Sequence, residues 1–398
     1  MIRSTTNGTL KSYRYNLQCS SYHLNQARNT VLTQRNFNSF AESPADAARC
    51  FQLRRSFLRT NSQYDINESV GRKYDVAWSA IDSVVQDVSN RLSDSALAEI
   101  VAGNSDATAS GRNALGQSLE QLAEGIVQTM NTRYGDNYVF SGADGLNVPF
   151  TWETAADGTK TLHYRGVSVD TQVPDVEMDA NNEPVGYLED GTKVTDPAVT
   201  PTHYKKTDGT MIEIPEYDRL KADMAKLDYM INDEKKYADL GLGIQEDENG
   251  EIIDSSAFNV ALQGITFLGY GVDEDGDPKN IASIITRMGE ILLNCDEDGN
   301  FADGDKDEFN RLFGKFTAAA DIVENKHTEM DTEAAFLQSN QTQLKNTAYT
   351  LQEQFLGIED ADLADAITAF SWAQYCYNAA LKVGNSILSE SLMDYLRT

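Results

Sequence analysis

The chain has 398 residues, 40 % of them apolar, and a formal net charge of −29 at pH 7. Its length predicts more than one folding unit. So large an acidic excess excludes nucleic-acid binding and adhesion to anionic lipid, and no run nears the roughly eighteen apolar residues of a membrane helix, so no membrane insertion is expected.

Taken in chain order, Leu10, Leu17, Leu24 and Val31 repeat with heptad spacing, with Tyr13, Ser20 and Ala27 interleaved. That spacing keeps one apolar seam of a helix facing a partner and predicts an assembly helix within 1–40. After a loop at 34–42, Ser43-Pro44-Ala45-Asp46 restarts a helix: Ser suits the N-cap, Pro the first turn, and Asp complements the dipole. The segment 41–142 reads as the N-terminal limb of a helical rod. Tyr74, Trp78, Ile81, Val85, Val88 and Leu92 form one stripe; Leu115, Leu119, Leu122, Ile126 and Met130 form another beyond a break at 103–111.

The segment 143–280 is different. Seven of the eight prolines lie between Pro149 and Pro278, and the segment holds 29 acidic against 11 basic residues. Gly-containing turns alternate with β-prone pieces such as Lys160–Tyr164 and Thr210–Ile214, and a helical stretch spans Tyr217–Tyr237. An inserted acidic, β-rich domain follows from that pattern. Helical periodicity resumes over 281–358, through Ile281, Ile285, Met288 and Leu292, then Phe309, Leu312, Phe316, Ala320 and Val323. The heptad returns at Leu337, Leu344, Leu351 and Ile358.

The segment 359–398 is a second assembly helix with an apolar stripe of Leu363, Ile367, Phe370, Tyr377, Leu381, Leu388 and Leu392. Gly384 interrupts it at about 1 kcal/mol, either by simple tolerance or because a second backbone comes close. Residues 1–75 carry 11 basic and 5 acidic residues, whereas 321–398 carry 4 and 12. Opposite charge predicts that the Leu10 and Leu337 seams pair with each other. The expected fold is mainly α with an inserted β-rich domain, an antiparallel rod formed by both termini, and coiled-coil-like terminal helices.

Little in the sequence carries chemistry. Cys19, Cys50, Cys295 and Cys376 show no C-x-x-C spacing, and four histidines lie far apart, so no metal centre or catalytic dyad is expected. Cys19 and Cys376 lie on the two terminal helices and could meet. The acidic turns Asp296–Asn300 and Asp303–Asp307 fail the EF-hand test at its glycine position, where Phe301 and Glu308 stand. No phosphate loop, nucleophile elbow or zincin motif occurs, so no enzyme and no cofactor are expected. The N-terminus lacks the apolar core of a Sec signal, which by itself suggests a cytoplasmic protein.

The stretches Ser43-Pro-Ala-Asp-Ala-Ala-Arg49, Ile358-Glu-Asp-Ala-Asp-Leu-Ala-Asp-Ala-Ile-Thr368 and Ala379-Ala-Leu-Lys-Val-Gly384 resemble the signatures of the flagellin superfamily. Tyr138-Val-Phe-Ser-Gly142 and Ser391-Leu-Met-Asp-Tyr-Leu396 are similar to its hook-associated branch. The likeness covers roughly 1–142 and 281–398. One departure is Thr33-Gln34-Arg35-Asn36-Phe37, where the family has a Ser-Gly-basic-Arg-Ile turn. The resemblance implies export through the flagellar type III channel, with an export chaperone and no cleaved signal. It implies an extracellular adaptor between hook-associated protein 1 and flagellin, closed as a ring of about eleven copies. A filament-forming flagellin is the alternative, followed by a flagellin-like protein whose insert binds or hydrolyses a ligand. On this reading the assembly interface comprises the two heptad seams together with Leu363, Ile367, Leu381, Gly384, Leu388 and Leu392.

Overall fold

The computed structural model describes residues 6–101, 109–154, 159–179, 183–194, 200–296, 300–302 and 304–396. It is mainly helical, with small antiparallel sheets. The helices among these residues are α1 (Thr6–Thr33), α2 (Pro44–Leu92), α3 (Ser95–Val101), α4 (Ala109–Met130), α5 (Ile214–Asp228), α6 (Gly264–Leu268), α7 (Ile281–Leu293), α8 (Asp305–Glu359) and α9 (Leu363–Leu396). Two compact units divide the chain: a terminal unit, Met1–Asp65 with Thr342–Thr398, and a central unit, Ile66–Gln341.

In the central unit, α2 buries Tyr74, Ala77, Ile81, Val84 and Val88, while Trp78, Val85 and Leu92 of the expected stripe stay half-buried at its edge. Leu115, Leu119, Ile126 and Met130 of α4 face the same core, with Leu122 on its rim. Short α3, which periodicity alone does not reveal, adds Leu97 and Ile100. Helices α4 and α7 cross at Gly116 and Gly289. A β-carbon on Gly116 would lie 2.9 Å from the Gly289 carbonyl oxygen, and one on Gly289 3.0 Å from that of Gly116. On α8 the core residues are Phe309, Leu312, Phe316, Ala319, Val323, Met330 and Leu337, with Ala320 turned half outward.

The acidic segment shares this core. Strands Phe150–Thr154, Lys160–Tyr164 and Val167–Ser168 form an antiparallel sheet in which Phe150 faces Tyr164 and Trp152 faces Leu162. The two-residue turn Arg165-Gly166 has φ of 51° and 82°, the left-handed pair that matches strand twist in a tight hairpin. Phe150, Leu162, Tyr164, Val167, Leu262 and Phe267 pack with α4 and α7 in one cluster. Ser141–Gly142 pairs with Leu262–Gln263, joining the beginning of the segment to its end. A second sheet, Gly186–Tyr187, His203–Lys205 and Met211–Glu213, belongs to a small separate core of Val176, Ile212 and Tyr217. The helix expected to reach Tyr237 ends sooner. After α5 one wide turn spans Tyr229–Asp233, and Tyr237 joins a strand facing Asn259.

Three carboxylates converge at the turn Asp273–Asp277, where Asp273, Asp275 and Asp277 bring oxygens within 4.8 Å of one another. The position a cation would take holds the Lys315 ammonium of α8, 2.6 Å from Asp273, 3.0 Å from Asp275 and 2.5 Å from Asp277. Arg311 adds a bidentate pair to Asp277 at 2.6 and 3.0 Å. The turn thus fastens the acidic segment to α8. Of the two sequence candidates for calcium, Asp305 and Asp307 lie in the first turn of α8; Asp298 and Asp303 lie outside the described residues.

Candidate assembly surface

In the terminal unit, Leu10, Tyr13, Leu17, Ser20, Leu24, Ala27 and Val31 are all half-buried on one face of α1. Their partner is α9, which runs antiparallel: Tyr13 lies at Gly384 and Arg35 bridges to Asp360. A β-carbon at Gly384 would collide with the Tyr13 phenol, so this glycine admits a side chain from the opposite helix.

The face α9 turns inward takes only part of the expected stripe, Phe370, Tyr377 and Gly384. It consists of Ala366, Phe370, Ala373, Tyr377, Ala380 and Gly384, at alternating four- and three-residue steps. Leu363, Ile367 and Leu381 are 45, 48 and 43 % exposed. The side chains of Leu388 and Leu392 lie outside the described residues. Hydrophobicity could not select the inner face, because α9 carries apolar residues on nearly every side. At Gly384 a small residue occupies it because the Tyr13 ring takes the space.

The pairing expected from charge is also corrected. Leu337 and Leu344 are buried and Leu351 and Ile358 half-buried on α8, but the α1 seam meets α9. In the terminal unit α8 meets α2, where Phe57 stacks edge-on against Phe355 at 5.6 Å and Arg54 lies over the same ring. Charge complementarity acts locally instead. Buried Glu359 binds Arg35 at 3.1 Å, pairs with Arg54, and accepts a 3.7 Å contact from the Cys50 thiol. Burial pushes the Cys50 thiol up, and the Glu359 carboxylate adds to the shift.

Further contacts tie the turn after α1 to the start of α9. The Asn36 amide donates to the carbonyls of Ile358 and Asp360 at 3.0 and 2.9 Å, and Ala361 N–H donates to Gln34. Gln34 adopts φ 56°, the conformation a glycine would take without strain, so the unusual Thr-Gln-Arg turn keeps a Gly-like backbone. Asp362 caps α9 through the N–H groups of Ala364 and Asp365. Ser43 donates to Asp46 at 2.7 Å, rather than accepting from the helix as an N-cap would. Sequence reasoning missed Glu359 as the hub; the available signal was the basic excess of 1–75, to which Arg35 and Arg54 belong.

The outward faces of this unit expose large apolar side chains among polar ones. Tyr15, Tyr22 and Leu32 on α1, Phe51 and Leu58 on α2, and Leu363, Ile367, Leu381 and Val383 on α9 are exposed. Trp372 and Tyr375, each 67 % exposed, stack at 5.8 Å. So many large apolar side chains in water are a feature an assembly surface would share. The four cysteines are free thiols, Cys19 and Cys376 among them.

No protein-family model matches the chain, and no curated protein matches it. Solved structures do. A flagellar hook-associated protein from Vibrio parahaemolyticus aligns over 80 % of this chain and 99 % of its own, at 10 % identity and a TM-score of 0.44. FlgL from Xanthomonas campestris aligns over 76 % of this chain and 99 % of its own, at 14 % identity and a TM-score of 0.38. Hook-associated protein 3 from Legionella pneumophila gives 76 and 98 %, 14 % and 0.40.

Proposed function

We propose that the chain is a structural, non-catalytic subunit of the extracellular bacterial flagellum, of the hook-associated protein 3 kind. It joins hook-associated protein 1 to the flagellin filament as a ring of copies, after chaperone-assisted export through the flagellar type III route. The reading divides the chain into two assembly helices (1–40 and 359–398), two limbs of a helical rod (41–142 and 281–358) and an insert (143–280). The observation that carries it is the paired α1 and α9 with apolar residues on their outward faces. In a ring, neighbouring copies cover those faces. Glu359, within the 358–368 stretch, holds the α1–α9 corner together through Arg35 and Arg54.

The test separates the two faces of α9. Leu381→Asp places a charge on the outward face, where substitutions change stability by about 0.5 kcal/mol or less. Its thermal melt should match wild type, while incorporation between hook and filament is lost, because covering an unpaired charge costs several kcal/mol. Ala380→Asp, on the face against α1, should instead abolish amide protection across α1. A Leu381→Asp chain that enters the junction normally would overturn the reading. Long polymers formed by the purified chain alone would favour a filament flagellin.

The second core supplies a further expectation. Glu177 N–H donates to the Lys205 carbonyl at 2.8 Å, so the chain ends flanking 179–203 are already adjacent. Replacing 179–203 by a short Gly/Ser turn should leave the main core and junction assembly intact, since loop length changes closure entropy little. Removing all of 146–278 would strip Phe150, Leu162, Tyr164 and Phe267 from the shared core. That larger deletion should unfold the central unit by circular dichroism.

A further inference from the structure

One cluster of cations stands apart from the proposed assembly surface. Lys73 of α2 opens into a cleft of about 350 Å³ together with Lys236. The Lys73 ammonium donates to the Val260 carbonyl at 2.8 Å, its one hydrogen bond among the described residues, out of three donors. Lys236 is held beside it by its backbone: its N–H donates to the Asn259 side chain at 3.0 Å, and its carbonyl accepts from Val260 N–H at 2.7 Å. Its ammonium has no ion-pair partner among the described residues. By contrast, adjacent Lys235 takes Asp254 at 2.8 Å, and Lys160 takes Glu120 and Glu124.

The surroundings define what could fit between the two ammoniums. Val70, Val139 and Val260 make part of the cleft apolar, and the rings of Tyr134 and Tyr138 border it. Asp136 is the one acidic residue lining it. Two cations and one carboxylate leave a single positive charge, which suits a monoanion and opposes a phosphate dianion. An apolar lining beside a cationic end suits an organic acid with a hydrocarbon body.

We propose that the Lys73–Lys236 cleft binds a carboxylate with an apolar body, either a free monocarboxylic acid or a carboxylate side chain of a second copy. Burial, then repulsion from Lys236, lowers Lys73 to about 8. A carboxylate between the two ammoniums reverses the second effect and returns Lys73 toward an ordinary lysine. The site lies outside the assembly surface, so its test does not depend on that reading.

Lys73 reports its own occupancy, because only its neutral amine acylates. The full-length protein is treated with limiting acetic anhydride at pH 8, and modification of Lys73 is followed by mass spectrometry. Saturating hexanoate should slow that reaction about tenfold, consistent with charge-assisted hydrogen bonds of this size. Hexanamide at equal concentration, and chloride at equal ionic strength, should leave it unchanged. Exposed Lys236→Gln should remove the hexanoate effect without moving the thermal melt. Protection that grows with protein concentration, without hexanoate, would identify a second copy as the source. Protection by hexanoate alone would identify a free acid. No saturable protection, equal protection by inorganic phosphate, or an undiminished effect in Lys236→Gln would overturn the proposal.

Discussion

Gly289→Leu should destabilise the central unit by about 3 kcal/mol or more, because it forces a branched side chain into a backbone contact. At this crossing the carbonyl oxygen of Gly116 lies 3.0 Å from where the new β-carbon would sit, with Glu120 and Leu119 at 3.4 and 3.5 Å. Neither helix can yield without disturbing Leu119, Ile285 and Leu292, all within 1 % of full burial. The reciprocal Gly116→Leu would meet Gly289 and Leu293, each at 2.9 Å, and should be as severe. Alanine is the informative intermediate. It gains about 1 kcal/mol of helix propensity over glycine, yet must displace a carbonyl by a few tenths of an ångström. The double alanine variant should lose clearly more or less than the sum of the singles, since both changes act on one contact. Urea unfolding followed at the tryptophans reads this directly; additive, near-neutral alanine variants would show that the helices are not locked at this point.

Acid should release the Asp273–Asp277 turn, and the turn's own carboxylates set the range. Hydrogen bonding from Arg311, opposed by burial and reinforced by Lys315, holds Asp277 down at about 2. An unfolded aspartate titrates near 3.9, so the folded state binds protons less readily than the unfolded chain. The stabilisation is therefore complete above about pH 4 and disappears as pH falls through about 2, a change of roughly 2 kcal/mol. Asp277→Asn should lose that amount at neutral pH and flatten the acid limb. Asp170 has the opposite sign. Burial raises it to about 6, and Ser283 supplies only one hydrogen bond, at 2.7 Å, leaving its second oxygen without a partner. Its contribution is intact below about pH 4 and falls by roughly 2 kcal/mol as pH rises through 6. Asp170→Asn should thus stabilise the protein at pH 7 and remove the slope between pH 4 and 6. Denaturant midpoints from pH 2 to 8 for the two variants test both signs; parallel curves would contradict both assignments.

Much of the architecture was legible from period and composition. Heptad spacing located the α1 face, because residues seven apart must share one side of a helix. Proline and acidic turns pointed to a β-rich region within a mainly helical chain, because proline cannot sit inside helices and Asp-Gly pairs favour tight turns. Lys160–Tyr164 is a strand where the sequence alternates. Three things were decided only by tertiary packing. The inner face of α9 takes in Gly384 and leaves Leu381 outside, because the Tyr13 ring fills the space at that close crossing. The acidic segment shares a core with α4 and α7, which no local pattern encodes: Phe150 and Ile126 belong to one core through folding, not through sequence. Glu359 and Lys315 acquire their roles from charges on distant stretches of chain, Arg35 and Arg54 for one and Asp273–Asp277 for the other. Periodicity is a property of one helix and can be read from it. Choice of partner is a property of two surfaces, and exists only once both have been brought together.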